Sequence, residues 1–374
     1  MPLGDDMAEE RRRYGQGMAS ATWPGNGLGD IAKERAWYRG YVDLMEGEPR
    51  AKPGDDGRLR FSQPGFLRVA VIAWAMQALI VVSGAAVRLT EAGLGCEDWP
   101  TCNDDELLPE WELHGLIEFG NRVISALVAV SAVFAVVAAY RRLPRRGDLI
   151  KYAWALVAGT LAQVVLGGIT VLADLHPIVV SVHFLFSMLL LWAAQTLVFR
   201  SRSTFDPEIQ PNPDQARWFL LGMAALVLMT GTIVTGTGPN SGDSRADRLG
   251  FELESVVRIH SICAWLLIAT TVFMVWRIVQ NGGQATHAFT VVRWLLVALV
   301  AQGAIGYTQF ALGVPAALVE IHVAGSIVVW SLAIALFLQL GELEEFQLSR
   351  TSFHSKPVVK TGQKVPEWWH GSAS

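Results

Sequence analysis

The chain has 374 residues, of which 52% are hydrophobic and only 17% are charged, and its mean hydropathy is +0.34. A soluble chain of this length would form about two ordinary domains, but here the apolar residues stand in long blocks rather than at scattered core positions. The formal net charge of −4 is small and says little about partners, and we expect no nucleic-acid partner for this chain.

Eight apolar blocks follow one another along the chain, each about 20 residues long and able to cross a bilayer as a helix. They cover residues 67–87, 114–140, 150–172, 178–199, 217–236, 254–276, 292–312 and 316–340. The sequence therefore predicts an all-α integral membrane protein with eight transmembrane helices, arranged as two pseudo-twofold four-helix bundles in contact with membrane lipid.

The blocks divide the chain into five parts. Residues 1–66 are polar, contain no apolar block and are predicted to be a mobile cytoplasmic extension. Two halves follow, 67–199 and 217–340, and the cytoplasmic linker 200–216 joins them. Residues 341–374 form a predicted cytoplasmic tail.

Basic residues occur in alternate loops, as in "RRLPRRGD" at 141–148 and around Arg277 and Arg293. Short basic loops stay in the cytoplasm. The pattern predicts a multi-pass protein of the cell membrane with both termini cytoplasmic and with loop 88–113 external.

The external loop contains "GLGCEDWPTC", in which Cys96 and Cys102 are six residues apart. Cysteines in an oxidising compartment form lasting disulfides, and we expect one here. The alternative is a metal pair, but zinc sites commonly use four ligands and the chain has no second cysteine pair. The third cysteine, Cys263, lies within an apolar block and is expected to be a small buried hydrophobe.

The two halves are internal repeats of a four-helix unit. "VSVHFLFSMLLLW" (180–192) matches "VEIHVAGSIVVW" (319–330), and "VVSGAAV" (81–87) matches "LMTGTIV" (228–234). His322 follows a second membrane histidine, His260, by 62 positions, and the residue 62 positions before His183 is Asn121. The second half therefore carries two histidines where the first carries Asn121 and His183.

Histidines inside membrane helices need a partner, because an unpaired imidazole is costly in hydrocarbon. One such histidine is commonly explained by an interhelical hydrogen bond. Two at matching positions, however, can face each other inside a bundle, where cofactors bind. Imidazoles on opposite sides of a porphyrin supply both axial iron ligands, so we interpret His260 and His322 as a bis-histidine haem site. Zinc would require further ligands.

The first half differs by carrying charge. Glu118, Asn121, Arg122 and Ser125 follow helical spacing and share one face, whereas Val257 and Ser261 stand at the positions equivalent to Glu118 and Arg122. This asymmetry suggests that the first half performs chemistry while the second holds a redox cofactor. The alternative is that Glu118 and Arg122 form only an ion pair.

The motifs "AAVRLTEAGLGCEDWPTCND", "IEFGNR", "VSVH", "RIH" and "VEIH" resemble the haem A synthase family over roughly residues 68–338. The resemblance implies a membrane oxidoreductase that oxidises a ring methyl of haem O to the formyl group of haem A for terminal oxidases. It implies haem b between His260 and His322 in 217–340, and substrate haem at His183 in 67–199, with Glu118 catalytic. Haem O synthase, oxidase assembly factors and a second copy of the chain are the candidate protein partners.

One position departs from the family pattern of Glu-x-x-His-Arg, because "EFGNR" places Asn121 at the histidine. Asparagine is a poor iron ligand, so either His183 alone holds the substrate haem, with Arg122 nearby, or His114 compensates. The alternative for His114 is an interfacial residue at the start of its helix. The alternative function for the whole chain is a non-catalytic membrane cytochrome b that transfers electrons or carries haem.

Overall fold

The structure is a computed structural model and describes residues 60–96, 98–102, 109, 111–202, 215–240, 242–243 and 246–354. Most of the predicted extension 1–66, part of the linker 200–216 and the end of the tail 341–374 lie outside these residues. All eight predicted blocks form helices that are long and apolar enough to cross a membrane, which confirms the all-α membrane class.

The helices begin and end close to the predicted limits. They are α1 Gln63–Leu89, α2 Leu113–Arg141, α3 Gly147–Leu172, α4 Pro177–Ser201, α5 Gln215–Thr237, α6 Leu253–Gln280, α7 His287–Ala311 and α8 Ala316–His354. Helix α8 continues beyond the predicted boundary at 340, since the segment after the apolar block is rich in good helix formers. Its apolar part is Ala316–Gly341.

Local sequence explains several helix starts. The Ser62 side chain accepts a hydrogen bond from the N–H of Gly65 at the start of α1, and the Thr286 side chain does the same for Phe289 at the start of α7. Pro177 occupies the first turn of α4, where its missing N–H costs nothing.

In each half, every helix packs against the next one along the chain, and the fourth packs back on the first. Helix α4 contacts α5 and α8, and α8 also contacts α1, so these helices join the halves. At this junction the indole N–H of Trp330 donates to the carbonyl of Met188 at 2.9 Å, and the rings of Trp192 and Trp330 meet edge to face at 6.5 Å. The pseudo-twofold relation of the halves stays a prediction.

The buried apolar core of the first half lies at one end of its bundle. Its members come from the start of α1, the end of α2, the start of α3 and the end of α4, for example Phe66, Ala135, Leu149 and Leu197. Loop 88–113 follows the end of α1, so this core lies at the opposite end of the helices. The first bundle is therefore tightly packed at the end opposite the loop, and its polar residues lie nearer the loop end.

Candidate functional site

The two membrane histidines of the second half face each other inside their bundle. His260 lies on α6 and His322 on α8, and their ring centroids are 6.4 Å apart. Both lie within the first few turns at the loop end of their helices. Since α6 and α8 do not pack directly against each other, the rings meet across the interior of the bundle.

Small residues on the neighbouring helices hold these rings. The Thr230 hydroxyl lies 3.0 Å from Nδ1 of His260. A Cβ added to Gly231 would lie 3.2 Å from Cε1 of His260, and one added to Gly306 would lie 3.3 Å from Cε1 of His322. Any side chain at these glycines would push the rings, so α5 and α7 provide close-fitting surfaces for them.

This spacing fits two imidazoles on one metal ion. Metal–imidazole bonds of roughly 2 Å place the ring centroids about 6 Å apart, close to the observed 6.4 Å. Nδ1 of His322 is buried without a hydrogen-bond partner among the described residues, which is costly unless a ligand engages the ring. Within the same residues, no group of three or more His, Cys, Asp and Glu side chains is placed to hold a metal ion.

The first half repeats the histidine surroundings on α3 and α4. A Cβ added to Gly167 would lie 3.6 Å from Cε1 of His183, as Gly306 approaches His322. Nδ1 of His183 is also buried without a described partner. Gln163 donates to the carbonyl of His183 at 3.0 Å and contacts the Ser187 hydroxyl, so its side chain fixes the turn that carries His183.

Asn121 takes the place of His260 in the first half. Its Oδ1 accepts a hydrogen bond from the Ser83 hydroxyl at 2.8 Å, and Ser83 is the repeat equivalent of Thr230. Equivalent hydroxyl groups on the equivalent helices α1 and α5 therefore contact an amide in the first half and an imidazole in the second.

Glu118 and Arg122 bind the described part of the loop between α1 and α2. Glu118 is only 5% exposed. Its Oε2 accepts from the backbone N–H of Cys96 at 2.7 Å, and its Oε1 accepts from Nη2 of Arg122 at 2.7 Å. Arg122 also donates to the carbonyls of Asp98 at 3.0 Å and Thr101 at 2.8 Å. The ion pair considered from the sequence is thus present and anchors the loop, whereas a catalytic role for Glu118 stays a prediction.

The loop itself is tied to the helix ends by close contacts. Cys96 and Cys102 are joined as a disulfide and both are fully buried. A Cβ added to Gly95 would lie 2.5 Å from the backbone carbonyl of His114, so only glycine permits this approach to α2. Trp99 lies against Gly168, where an added Cβ would come within 2.7 Å of the indole. Gly168 directly follows Gly167, the glycine beside His183.

We expect Cys96 and Cys102 to be oxidised in protein taken from intact membranes. Closing this short loop constrains the unfolded chain by roughly 2–3 kcal/mol on the chain-entropy description. Thiol labelling without reductant should modify at most Cys263, which is 9% exposed, and labelling after reduction should add the other two. Ready labelling of all three cysteines without reductant would contradict the prediction.

One predicted site residue, His114, lies apart from the site, and one residue close to it, Glu320, was not predicted. His114 is exposed on the first turn of α2, so burial gives no support to its prediction as a compensating ligand. Glu320, two residues before His322, has both carboxylate oxygens buried without a hydrogen bond to a described residue, although it interacts electrostatically with Arg88. The motif "VEIH" could have pointed to Glu320, because the first half has the uncharged Ser181 at the same position.

Fold and geometry together define a multi-pass membrane protein with two paired side-chain positions inside its helical bundles. The sequence profile of the family described as cytochrome oxidase assembly protein matches residues 67–334, which is well over half of the chain. The chain belongs to this family.

The chain also matches individual proteins over shorter stretches and at moderate sequence identity. The chain is 29% identical to the haem A synthase of Lysinibacillus sphaericus (strain C3-41) over 175 residues, which cover 45% of this chain and 57% of the relative. It is 32% identical to the haem A synthase of Geobacillus thermodenitrificans over 35% of this chain and 39% of the relative. For the haem A synthase of Symbiobacterium thermophilum the identity is 33% over 32% of this chain and 40% of the relative. The matches thus span only about half or less of each relative.

Proposed function

We propose that this protein converts haem O to haem A in the cell membrane, for the biogenesis of terminal oxidases, by oxidising a ring methyl to a formyl group. In this proposal His260 and His322 hold a resident haem b in the second half. His183 holds the substrate haem in the first half. Family membership over residues 67–334 and the three haem A synthase relatives support the substrate class.

The observation that carries the proposal is the asymmetry between two equivalent sets of residues. Both halves place a glycine against a histidine, at Gly306 and Gly167, and a hydroxyl against the facing position, at Thr230 and Ser83. Only the second half completes the set with a second imidazole. A fully ligated iron suits electron transfer, whereas an iron with an open position suits substrate chemistry.

The residues of the first half supply positioning and proton transfer. Oxidation of the ring methyl to a formyl group adds one water oxygen and releases protons and electrons, and a membrane electron acceptor must take the electrons. When bound, haem b supplies a one-electron redox centre. Glu118, enclosed by Arg122 and the backbone N–H of Cys96, is the acid–base group of this half. Glu118 and Arg122 also hold the described part of loop 88–113, which limits the access of water to the site.

The proposal also assigns an orientation. Basic loops place both termini in the cytoplasm, so that the disulfide loop and both haem sites lie toward the external surface. Haem O synthase is the protein partner that fits a lipid-soluble substrate, because direct transfer avoids exposing haem O to water.

Haem extraction distinguishes this proposal from the alternative of a non-catalytic cytochrome b. Membranes that contain the chain together with haem O should yield haem A, whereas matched membranes without the chain should yield only haem O. A cytochrome would bind haem and leave haem O unchanged, and that result would overturn the proposal.

A further inference from the structure

We propose that Asn121 is a hydrogen-bond donor held over the open face of the substrate haem, and that the space beside Gly84 receives a small ligand there, of the size of water or dioxygen. The inference rests on the proposed function, because it takes the first half as the substrate haem site. It adds a second binding position, opposite His183, that is built by Ser83, Gly84 and Asn121.

The position is defined by comparing the two halves. In the second half, Thr230 contacts Nδ1 of His260 at 3.0 Å, and a Cβ on Gly231 would lie 3.2 Å from the same ring. The repeat places Ser83 at Thr230 and Gly84 at Gly231. A Cβ added to Gly84 would meet no heavy atom of a described residue within 4 Å. The volume that the imidazole fills in the second half is therefore open in the first.

The orientation of the amide follows from its one hydrogen bond. The Ser83 hydroxyl lies 3.2 Å from the carbonyl of Ile80 and donates to Oδ1 of Asn121 at 2.8 Å, the shorter of the two contacts, which engages the carbonyl side of the amide. The Nδ2 group carries two donors and makes no hydrogen bond to a described residue. The side chain is only partly buried, so these donors are available to a ligand in the space that Gly84 leaves.

Asparagine at this position thus changes the chemistry in two ways. It provides no imidazole, so the iron of a bound haem would lack the second histidine ligand. It also puts a neutral amide donor where a small ligand would need one, and donors fixed in advance stabilise charge as it develops on a bound group. Asn121 is in this sense a positioning residue for the ligand that the substrate haem binds opposite His183.

The open space is tested by titrating imidazole into the full-length, haem-loaded protein. The first-half haem is identified as the haem that His183→Ala loses. In the wild type it should be high-spin and should become low-spin as imidazole binds. Asn121→His should be low-spin without imidazole and should not respond to it. A wild-type first-half haem that is already low-spin and unresponsive would overturn the inference.

The amide donor is tested separately with azide, which accepts hydrogen bonds when it binds ferric haem. Asn121→Leu should weaken azide binding about tenfold, the effect of losing one hydrogen bond to a charged group. Ser125→Ala is the matched control, because among the described residues the Ser125 hydroxyl bonds only the backbone carbonyl of Asn121, and it should bind azide like the wild type. Unchanged azide binding by Asn121→Leu would reduce Asn121 to a helix–helix contact with Ser83.

Haem extraction from the same preparations separates the two proposals. Haem A formation without any imidazole response would remove the second binding position and leave the proposed function intact. An imidazole response without haem A formation would leave the position intact and remove the proposed function. If no haem is lost in His183→Ala, both proposals fail.

Discussion

Replacing His260 or His322 by alanine is expected to abolish the low-spin haem spectrum of the purified protein. The ring centroids of His260 and His322 lie 6.4 Å apart, and in the proposed function both rings would bind the same low-spin iron, so losing either one would leave a single histidine ligand. The measurement is the reduced-minus-oxidised visible spectrum of protein purified at equal yield. Gly231→Leu, which would push the His260 ring, should weaken the same spectrum without removing a ligand.

His183→Ala is the matched control for this experiment, because His183 lies at the equivalent position of the other half. It should leave most of the low-spin spectrum in place while removing the haem of the first half. If His183→Ala lost the low-spin haem and His322→Ala kept it, the assignment of the halves would be inverted.

Replacing Glu118 by glutamine is expected to lower the conversion of haem O to haem A by roughly 10²–10⁴-fold, the usual contribution of a positioned acid–base group. Glutamine keeps the shape of the side chain and can still accept from the N–H of Cys96, but it cannot take up and release a proton. Chromatography of extracted haems should show haem O, or a hydroxylated intermediate, accumulating as haem A falls.

Two controls separate this chemical effect from the anchoring of the loop. The low-spin haem at His260 and His322 should survive Glu118→Gln, since both ligands lie in the other half. After reduction, Cys96 and Cys102, which are both fully buried, should label at the same rate in Glu118→Gln as in the wild type if the loop stays in place. Normal haem A production by Glu118→Gln would leave Glu118 as an anchor for Arg122 and the loop, and would remove the acid–base argument for placing the chemistry in the first half.

The sequence was sufficient for the fold because membrane helices are set by long apolar blocks, and all eight blocks became helices. The repeat was also readable, because His183 and His322 lie in matching motifs and the spacing to Asn121 and His260 is the same. The predicted helix ends were least accurate where polar helix formers follow an apolar block, as in α8, which continues to His354.

The contacts of the site were less accessible from the sequence. Helical spacing placed Glu118 beside Arg122, but it could not show that Cys96, 22 positions earlier in the chain, donates to the carboxylate. The hydroxyl of Thr230 was visible in the matched motif "LMTGTIV", yet its contact with His260 depends on how α5 packs against α6. Likewise, Gly95 marks a close approach to His114 that only the folded loop reveals.

The most direct test of the account measures haem A formed by the wild type and by His183→Ala in membranes supplied with haem O. The account predicts haem A from the wild type and almost none from His183→Ala, with the low-spin spectrum of the second half retained in both proteins. Haem A formed by His183→Ala at the wild-type level would contradict the assignment of the first half as the site of oxidation.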